Sequence, residues 1–475
     1  MKKKILVFVV SLFVVSANAQ NVYEEWKPSQ DEYANFDIGK YITPNIMRNQ
    51  LDFNVDFYSN HSRNNIYYAD RDDKLEQSNY AGNLSSYFSH YVNTRKIISI
   101  LLVNFSYSGN DNSQKYKQQF TNNNEKTVEN VSNFFQQPLL SLNWSNQWYF
   151  SKLFFMDYGL GSQVSYLFRQ DKTKNESEDS NRKFKNLSFG ISPHAGIGYG
   201  RIENVQDARQ AVYIANALSK KHVLKRNLSN DELFELSQKI STVKNKRFLD
   251  SRLYLIDEIT TVDSFFVHND LLAENGAPYF TTLYDMWQYG DLFTRQSGYK
   301  ISFGLSPYYN YQNIKEYPEN QNTINNSNQQ GISLNFNYEK PYKLNWQHSF
   351  RAYVFGGLQS SSSKYSGTED YTDKTKGNTY MAYAAYSLGY FPNTRTNIQV
   401  FASQQVSKNT YDNKGNILAA NSLLSANFYY YFSSHLRLTG NYNLTYSHIK
   451  DNEASNPDRN DFSSQFSVRL TYSMF

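Results

Sequence analysis

Segments of alternating apolar and polar residues recur along most of this chain, and they restrict its fold more than any other feature. In the clearest example, over residues 436–447, apolar and polar side chains take turns without interruption. A period of two places the two sets on opposite faces of a β-strand, so each face meets a different environment. Such segments recur from about residue 51 and are bounded by clusters of Asn, Ser, Asp and Lys. The sequence predicts an all-β fold of about 14 antiparallel up-and-down strands.

The N-terminus predicts export. Lysines occupy positions 2–4, apolar residues fill positions 5–15, and Ala17 and Ala19 form a small-residue cleavage site. This order is typical of a signal peptide, here residues 1–19. The apolar stretch is shorter than the about 20 residues that a membrane-spanning helix needs. If the mature chain spans a membrane, a closed β-barrel is the remaining architecture.

The connections between the predicted strands alternate between short and long. Short turns follow the even-numbered strands, around residues 93–95, 145–147, 341–342, 392–394 and 434. Polar connections follow the odd-numbered strands, at residues 59–79, 109–133, 169–183, 313–327, 360–376, 408–417 and 450–460. Bacterial outer-membrane barrels have short periplasmic turns and long outer loops, so both termini are predicted to be periplasmic. Aromatic clusters at residues 148–150, 390–391 and 428–432 border the short turns, as an interfacial belt requires.

One region breaks the alternation. Between about residues 203 and 296 the apolar period becomes 3.6, which predicts α-helices inserted between strands 6 and 7. The first helix carries an apolar stripe: Val205, Ala208, Val212, Ala215 and Leu218. A capping-box pattern at Ser229 to Glu232 begins the second, and the third ends near His268. Because this block follows an even-numbered strand, we expect it to fold in the periplasm against the barrel mouth.

Charge is unevenly distributed within the predicted insertion. An acidic stretch covers residues 250–291, and a basic stretch precedes it. The basic residues considered for partner binding are Lys220, Lys221, Lys225, Arg226, Lys244, Lys246 and Arg247. These charges could pair two helices with each other, or offer a basic face to peptidoglycan or a periplasmic protein. The interpretation we favour is a small plug or cap with solvated charged faces.

The whole chain resembles outer-membrane β-barrel proteins of Bacteroidota. The similarity lies in a signal ending Ala19-Gln20, in strands rich in Asn, Tyr and Ser, and in the terminal Phe475. Residues 200–209 and 244–248 are similar to a block in uncharacterised members of that group. The resemblance implies an outer-membrane location among its lipids, recognition of Phe475 by the barrel-assembly machinery, and no defined activity.

Signatures of catalysis are weak in the sequence. There is no Cys, which excludes thiolate metal sites and Cys nucleophiles, and the eight His are scattered without ligand spacing. No Gly-x-Ser-x-Gly motif is present. A net charge of +5 falls to about +2 once the signal lysines are removed, which gives no reason to expect nucleic-acid binding. We therefore expect a protein without enzymatic activity, cofactor or metal.

The predicted lumen offers the remaining functional hypothesis. Strand phase directs these side chains inward: Asp157, Glu339, Arg351, Arg437, Asn441, Asn443 and Arg469. About 14 strands can enclose water, so the arginines could favour anionic solutes, as charged rings do in pores. Equally, they could pair with Asp157 and Glu339 as internal struts. The two functional hypotheses are a porin-like channel for small polar solutes, capped by the insertion, and a structural or docking protein whose barrel anchors it.

The predicted organisation has five parts. It comprises a signal peptide at 1–19, a periplasmic segment at 20–50, strands 1–6 over 51–202, the insertion over 203–296 and strands 7–14 over 297–475.

Overall fold

The computed structural model describes most of the chain. The described residues are 32–68, 71–120, 126–175, 179–245, 251–290, 294–367, 370–412, 415–432, 436–452 and 458–472. The predicted signal peptide, Lys246, Arg247 and Phe475 lie outside them.

The described chain forms one antiparallel meander. Its strands are β1 (Ile46–Tyr67), β2 (Arg71–Asn93), β3 (Ile97–Phe120), β4 (Lys126–Tyr149), β5 (Phe154–Lys174), β6 (Asp179–Asn204), β7 (Gln296–Leu305), β8 (Tyr308–Tyr317), β9 (Gln321–Tyr342), β10 (Trp346–Ser366), β11 (Tyr371–Tyr390), β12 (Thr396–Tyr411), β13 (Gly415–Tyr431), β14 (Leu436–Asp451) and β15 (Arg459–Tyr472). Each strand pairs with its sequence neighbours except around β7 and β8, which both pair with β6 and β9. Pro307 follows β7 and cannot donate a ladder hydrogen bond, so β7 and β8 occupy one position end to end. The fifteen strands thus fill the fourteen predicted positions, and the predicted all-β barrel class with a helical insertion between strands 6 and 7 is confirmed.

The polar connections expected after the odd-numbered strands are mostly strand. The β1–β2 ladder, for example, continues through the predicted loop to the pair Tyr67 and Asp72. Cross-strand ion pairs such as Arg63 with Glu76, 3.5 Å apart, accompany it. Polar composition suggested loops because the outward apolar band ends there, but an antiparallel ladder can continue in water through backbone bonds and polar cross-strand pairs.

The described part of the insertion contains four helices. They are α1 (Gln206–Lys220), α2 (Asn230–Lys244), α3 (Ser251–His268) and α4 (Ala277–Tyr289). The predicted α1 stripe is fully buried, and the capping box at Ser229 and Glu232 is present. Ile256, an apolar residue of α3, is 76% exposed. No helix in the described ranges is long and apolar enough to cross a bilayer.

The helical core also holds residues from outside the insertion. Tyr33, Phe36, Ile38 and Tyr41 of the N-terminal segment are buried in it, together with Leu344 from the β9–β10 turn. The Tyr41 hydroxyl donates to the Ser237 carbonyl oxygen at 3.1 Å. The insertion therefore shares its core with the chain on both sides of it.

The first and last strands are the two edges of the sheet. Among the described residues no pairing joins β1 to β15. Both strands are exposed over most of their length. On each, apolar residues such as Phe53 and Phe466 share one face.

Candidate functional site

The insertion lies across one end of the barrel. The turns that follow the even-numbered strand positions, such as the β2–β3 turn, are at this end, which we call the rim. Several contacts join the insertion to the strands and turns around it. Asn245 accepts from the Met47 backbone N–H at 2.7 Å, and Arg209 donates to Asn345 at 2.8 Å. Arg295 stacks on Phe391, and the Tyr289 hydroxyl lies 3.3 Å from the Tyr431 hydroxyl. Met47 belongs to the first of the fourteen positions and Asn345 to the turn after the eighth. Contacts on opposite sides of the sheet show that the insertion spans the mouth.

Arg295 binds the C-terminal end of the insertion to the rim. We call this segment, residues 294–296, the returning chain, because it leads back into β7. Its guanidinium donates to the carbonyl oxygens of Leu344 and Trp346 at 3.0 and 2.6 Å, and to Gln347 Oε1 at 3.1 Å. Burial lowers the pKa of Arg295 to about 10, and the neighbouring charge of Arg209 adds to this. The side chain therefore remains a cation at neutral pH inside the junction.

A buried ion pair holds α1 against α2. Lys244 Nζ lies 2.8 Å from Asp207 Oδ1, and the Ser241 hydroxyl donates to the same carboxylate. Burial acts to raise the pKa of Asp207, but the charge and hydrogen bond of Lys244, with Ser241, outweigh it and the pKa is lowered. Lys244 is 2% exposed, so its prediction as a partner-binding residue is wrong. The basic stretch is interrupted because α2 turns this lysine toward Asp207.

The other basic candidates lie at the surface. Lys220 and Lys221 are exposed at the end of α1. Lys225 pairs with Asp270, and Arg226 makes two hydrogen bonds to Glu232 at 2.8 and 2.6 Å. The Arg226 hydrogen bond is the main reason that the pKa of Glu232 falls to about 2. Part of the basic and acidic stretches thus neutralise each other within the insertion.

A cavity of about 390 Å³ in the lumen, which we call the small cavity, reaches the insertion. Thr294 and Gln296 of the returning chain contribute to its wall, together with Glu339, Arg351 and Gln347. Arg351 lies 3.6 Å from Glu339 and is 62% exposed, whereas Glu339 also accepts from Ser349 and from Gln347 at 3.2 Å. For Arg351, the strut interpretation describes the observed geometry.

A second lumenal cavity, the large cavity, has a volume of about 570 Å³ and is bordered by strands from β4 to β11. Asp157 and Lys300 line it, and His194 Nε2 lies 3.6 Å from Asp157 Oδ1. Serines and asparagines complete much of its wall, including Ser302 and Asn335. Such a surface can hydrogen-bond polar solutes, and it contains charges of both signs.

The remaining lumen candidates lie near the open edge. Asn441 accepts from Asn443 at 2.6 Å and donates to Asn427 at 2.5 Å, which makes a ladder of amides. Arg437 and Arg469 are exposed on β14 and β15. The structure places neither of them with Arg351, so the three arginines do not form one ring among the described residues.

One charged cluster at the rim was missed by sequence reasoning. Arg95, in the β2–β3 turn, and Arg201 each donate to Glu203 at 2.8 Å. Arg95 also donates to the Thr43 carbonyl oxygen at 2.5 Å, and Arg201 to Asn93 at 2.6 Å. These bonds tie β6 and the N-terminal segment to a turn four strands away. Sequence spacing gave no signal, because the contact depends on the curvature of the sheet.

Within the described ranges, no three His, Asp or Glu side chains are grouped to hold a metal ion.

No family model matches the chain, and no curated protein matches it. Among solved structures it is similar to the β domain of the Bordetella autotransporter BrkA, with 10% identity, a TM-score of 0.23, and coverage of 78% of this chain and 98% of that one. It is also similar to the transport unit of the Escherichia coli autotransporter AIDA-I, with 9% identity and a TM-score of 0.21. That match covers 94% of this chain and 97% of the other. At these TM-scores neither likeness bears on function, and the topology rests on the strand pairing itself.

Proposed function

We propose that this chain is an outer-membrane β-barrel of the Bacteroidota type that passes small polar solutes, and that the insertion closes its periplasmic mouth. The observation that carries the proposal is the position of the returning chain: Thr294 and Gln296 border the small cavity while Arg295 is bound to the rim. A lumen with polar walls ends at a helical domain anchored on both sides of the mouth. Movement of that domain would open a path.

The proposal requires a closed wall, since an open sheet edge cannot face lipid. Followed across the sheet by register, Ile46 at the start of β1 is level with Arg459 at the start of β15. If the rim ends of the two edge strands pair, Met47 lies opposite Tyr472. The two edges are then displaced along the strands by about 14 residues in a barrel of fourteen strand positions. At about 3.3 Å per residue and about 4.8 Å per strand, this gives a tilt of about 35°, within the range of known barrels. The same register places Phe53 opposite Phe466, both on the outward face.

Cross-linking tests this closure. The chain has no Cys, so introduced pairs are unique. Phe53→Cys with Phe466→Cys should form an intramolecular disulfide, and Phe53→Cys with Leu470→Cys, four residues out of register, should not. Cross-linked dimers in place of monomers would show that a second chain covers the edge, and would refute the closed wall.

Planar-bilayer conductance tests the gate. We expect the full chain to be closed or nearly so, and a variant with residues 206–290 replaced by a short turn to be open. A chain with Met47→Cys and Asn245→Cys provides a reversible form, which should open more often after reduction than when oxidised; each single-Cys chain is the control. Equal conductance with and without the insertion would exclude gating, and closure of both would leave the barrel as an anchor.

The alternative function is a structural or docking protein whose barrel anchors the insertion. Lys220 and Lys221 would then be the exposed basic residues that bind a periplasmic protein or peptidoglycan. The structure favours it less, because Lys225 and Arg226 are paired within the insertion and Lys244 is buried. Location is tested separately by fractionation and by resistance to SDS without heating. Recognition of Phe475 by the barrel-assembly machinery is tested by loss of membrane assembly when Phe475 is removed.

A further inference from the structure

Two buried arginines meet where the insertion joins the rim. Arg209 and Arg295 are each 1% exposed, and no carboxylate of the described residues lies within 4.0 Å of either. The charge of Arg209 contributes to the lowered pKa of Arg295, so the two cations act on each other. Burying even one unpaired charge costs several kcal/mol, and two like charges together cost more. Such a pair needs a counter-charge.

The local groups leave part of this requirement unmet. Arg209 donates one hydrogen bond, to Asn345, and stacks on Tyr213 at 3.9 Å. Its Nε and Nη1 atoms are buried and have no hydrogen-bond partner. Arg295, by contrast, has neutral acceptors for all three nitrogens. Of the two guanidinium groups, only that of Arg209 therefore has buried donors without an acceptor.

A small space lies beside the two arginines. It is lined by Arg209, Arg295, Gln206, Tyr213, Phe391 and Thr394, among others. The room for the centre of a guest atom is about 10 Å³, about one water-sized sphere, which suits a monatomic guest better than phosphate, sulfate or a carboxylate. Gln206 and Arg209 also belong to the first turn of α1, whose N-cap has no side-chain hydrogen bond and whose dipole adds positive potential.

The neighbouring acids are engaged elsewhere. Asp207, in the same helical turn, is bonded to Lys244 and Ser241. Glu339 reaches Arg295 only through Gln347 and is paired with Arg351. Glu258 accepts from the Trp287 indole at 3.0 Å. A water molecule could accept from Arg209, but it would leave both charges uncompensated.

We propose that this space is a binding site for a monatomic anion, chloride in its natural setting, which neutralises Arg209 and Arg295 and fixes the insertion on the rim. The anion accepts from the Arg209 guanidinium. Because the arginines come from the beginning of α1 and from the returning chain, occupancy stabilises the docked position of the insertion. The site is independent of whether the lumen conducts.

Hydrogen exchange on the full refolded chain tests the proposal. At constant ionic strength, replacing gluconate by chloride should slow exchange of α1 and α4. Protection should rise about tenfold for each tenfold increase in chloride above its dissociation constant. Arg209→Met should abolish this dependence, whereas Lys225→Met, which removes an exposed cation of the same insertion, should retain it.

Two further measurements keep the outcome decisive if Arg209→Met misfolds. Crystals of the unaltered chain grown in bromide should show an anomalous peak beside Arg209. Equal exchange in chloride and gluconate with no such peak would mean bound water only, and would overturn the proposal. Asp291 follows Gly290 and lies outside the described residues. If Asp291→Asn showed chloride dependence and the unaltered chain did not, a carboxylate of the protein would be the counter-charge. That result would also overturn the proposal.

Discussion

The sheet and the insertion bury opposite kinds of side chain. In the insertion, residues such as Leu218, Leu233 and Leu236 have no exposure, and charged groups are paired inside or left at the surface. In the sheet, Leu358 and Leu470 are more than 60% exposed, while Ser302 and Glu339 are buried. One chain therefore contains a helical domain built around an apolar core and a barrel whose apolar side faces outward. The same substitution should have different consequences in each.

The largest difference should come from charge. Lys244→Met leaves Asp207 buried without its main partner and should destabilise the insertion by about 3–5 kcal/mol. Arg351→Met breaks the lumenal pair with Glu339, but the arginine is 62% exposed, so the cost should be about 1 kcal/mol or less. Chemical unfolding of each variant in detergent, followed by hydrogen exchange of α1 and of β10, measures both. Equal losses would mean that the lumen is as dry as the helical core.

The pH dependence sharpens this prediction. In the native chain Asp207 has a lowered pKa, so its contribution is present above the unfolded value of about 3.8 and is lost as pH falls through the folded pKa. The insertion should be more stable at pH 6 than at pH 3. In Lys244→Met burial becomes the main influence and raises the pKa, so stability should fall as pH rises from 3 to 6. The same sign in both chains would contradict the role given to Lys244.

Core volume should give the next largest effect. Leu236→Ala opens a cavity in the fully buried helical core and should cost about 2–5 kcal/mol. Leu358→Ala removes the same atoms from an outward-facing position that is 66% exposed, and in detergent should cost well under half as much. The two variants are compared by the midpoints of denaturant unfolding, measured separately for the helical insertion and for the barrel. A large loss at Leu358 would show that a protein surface covers that position.

Sequence reasoning identified features that depend on local periodicity. The α1 stripe at Val205, Ala208 and Val212 was found because each turn of a helix repeats the same contact. The cap at Ser229 was found because its two hydrogen bonds join residues three apart. The fourteen positions followed from alternation, which a strand shows whatever its neighbours are.

What sequence reasoning missed depends on contacts between distant segments. Tyr33 and Tyr41 join a core formed about 170 to 250 residues later, as the burial of both groups shows. Lys244 was placed with exposed lysines because composition does not reveal that Asp207 faces it. Arg95 and Glu203 meet only after the sheet curves. Arg209 and Arg295 lie 86 positions apart in the chain, and nothing near either residue predicts the other.

The smallest effect should come from the ends of single elements. Ser229 Oγ accepts from the Glu232 backbone N–H at 3.2 Å, and the Glu232 carboxylate accepts from the Ser229 N–H at 2.7 Å. Ser229→Ala leaves a helix N–H unsatisfied and should cost about 1 kcal/mol. In the barrel, Thr94 has a similar bond with the Ile97 backbone N–H, 3.0 Å long, but the adjoining strands continue in ladders on both sides. Thr94→Ala should therefore cost less than Ser229→Ala. The cap should also weaken as pH falls from the unfolded value of about 4.5 toward 2, because the pKa of Glu232 is lowered to about 2 by Arg226. Hydrogen exchange at the beginning of α2 and in the β2–β3 turn measures both variants, and an equal or larger loss at Thr94 would show that the rim turns, rather than the ladders, hold the barrel end together.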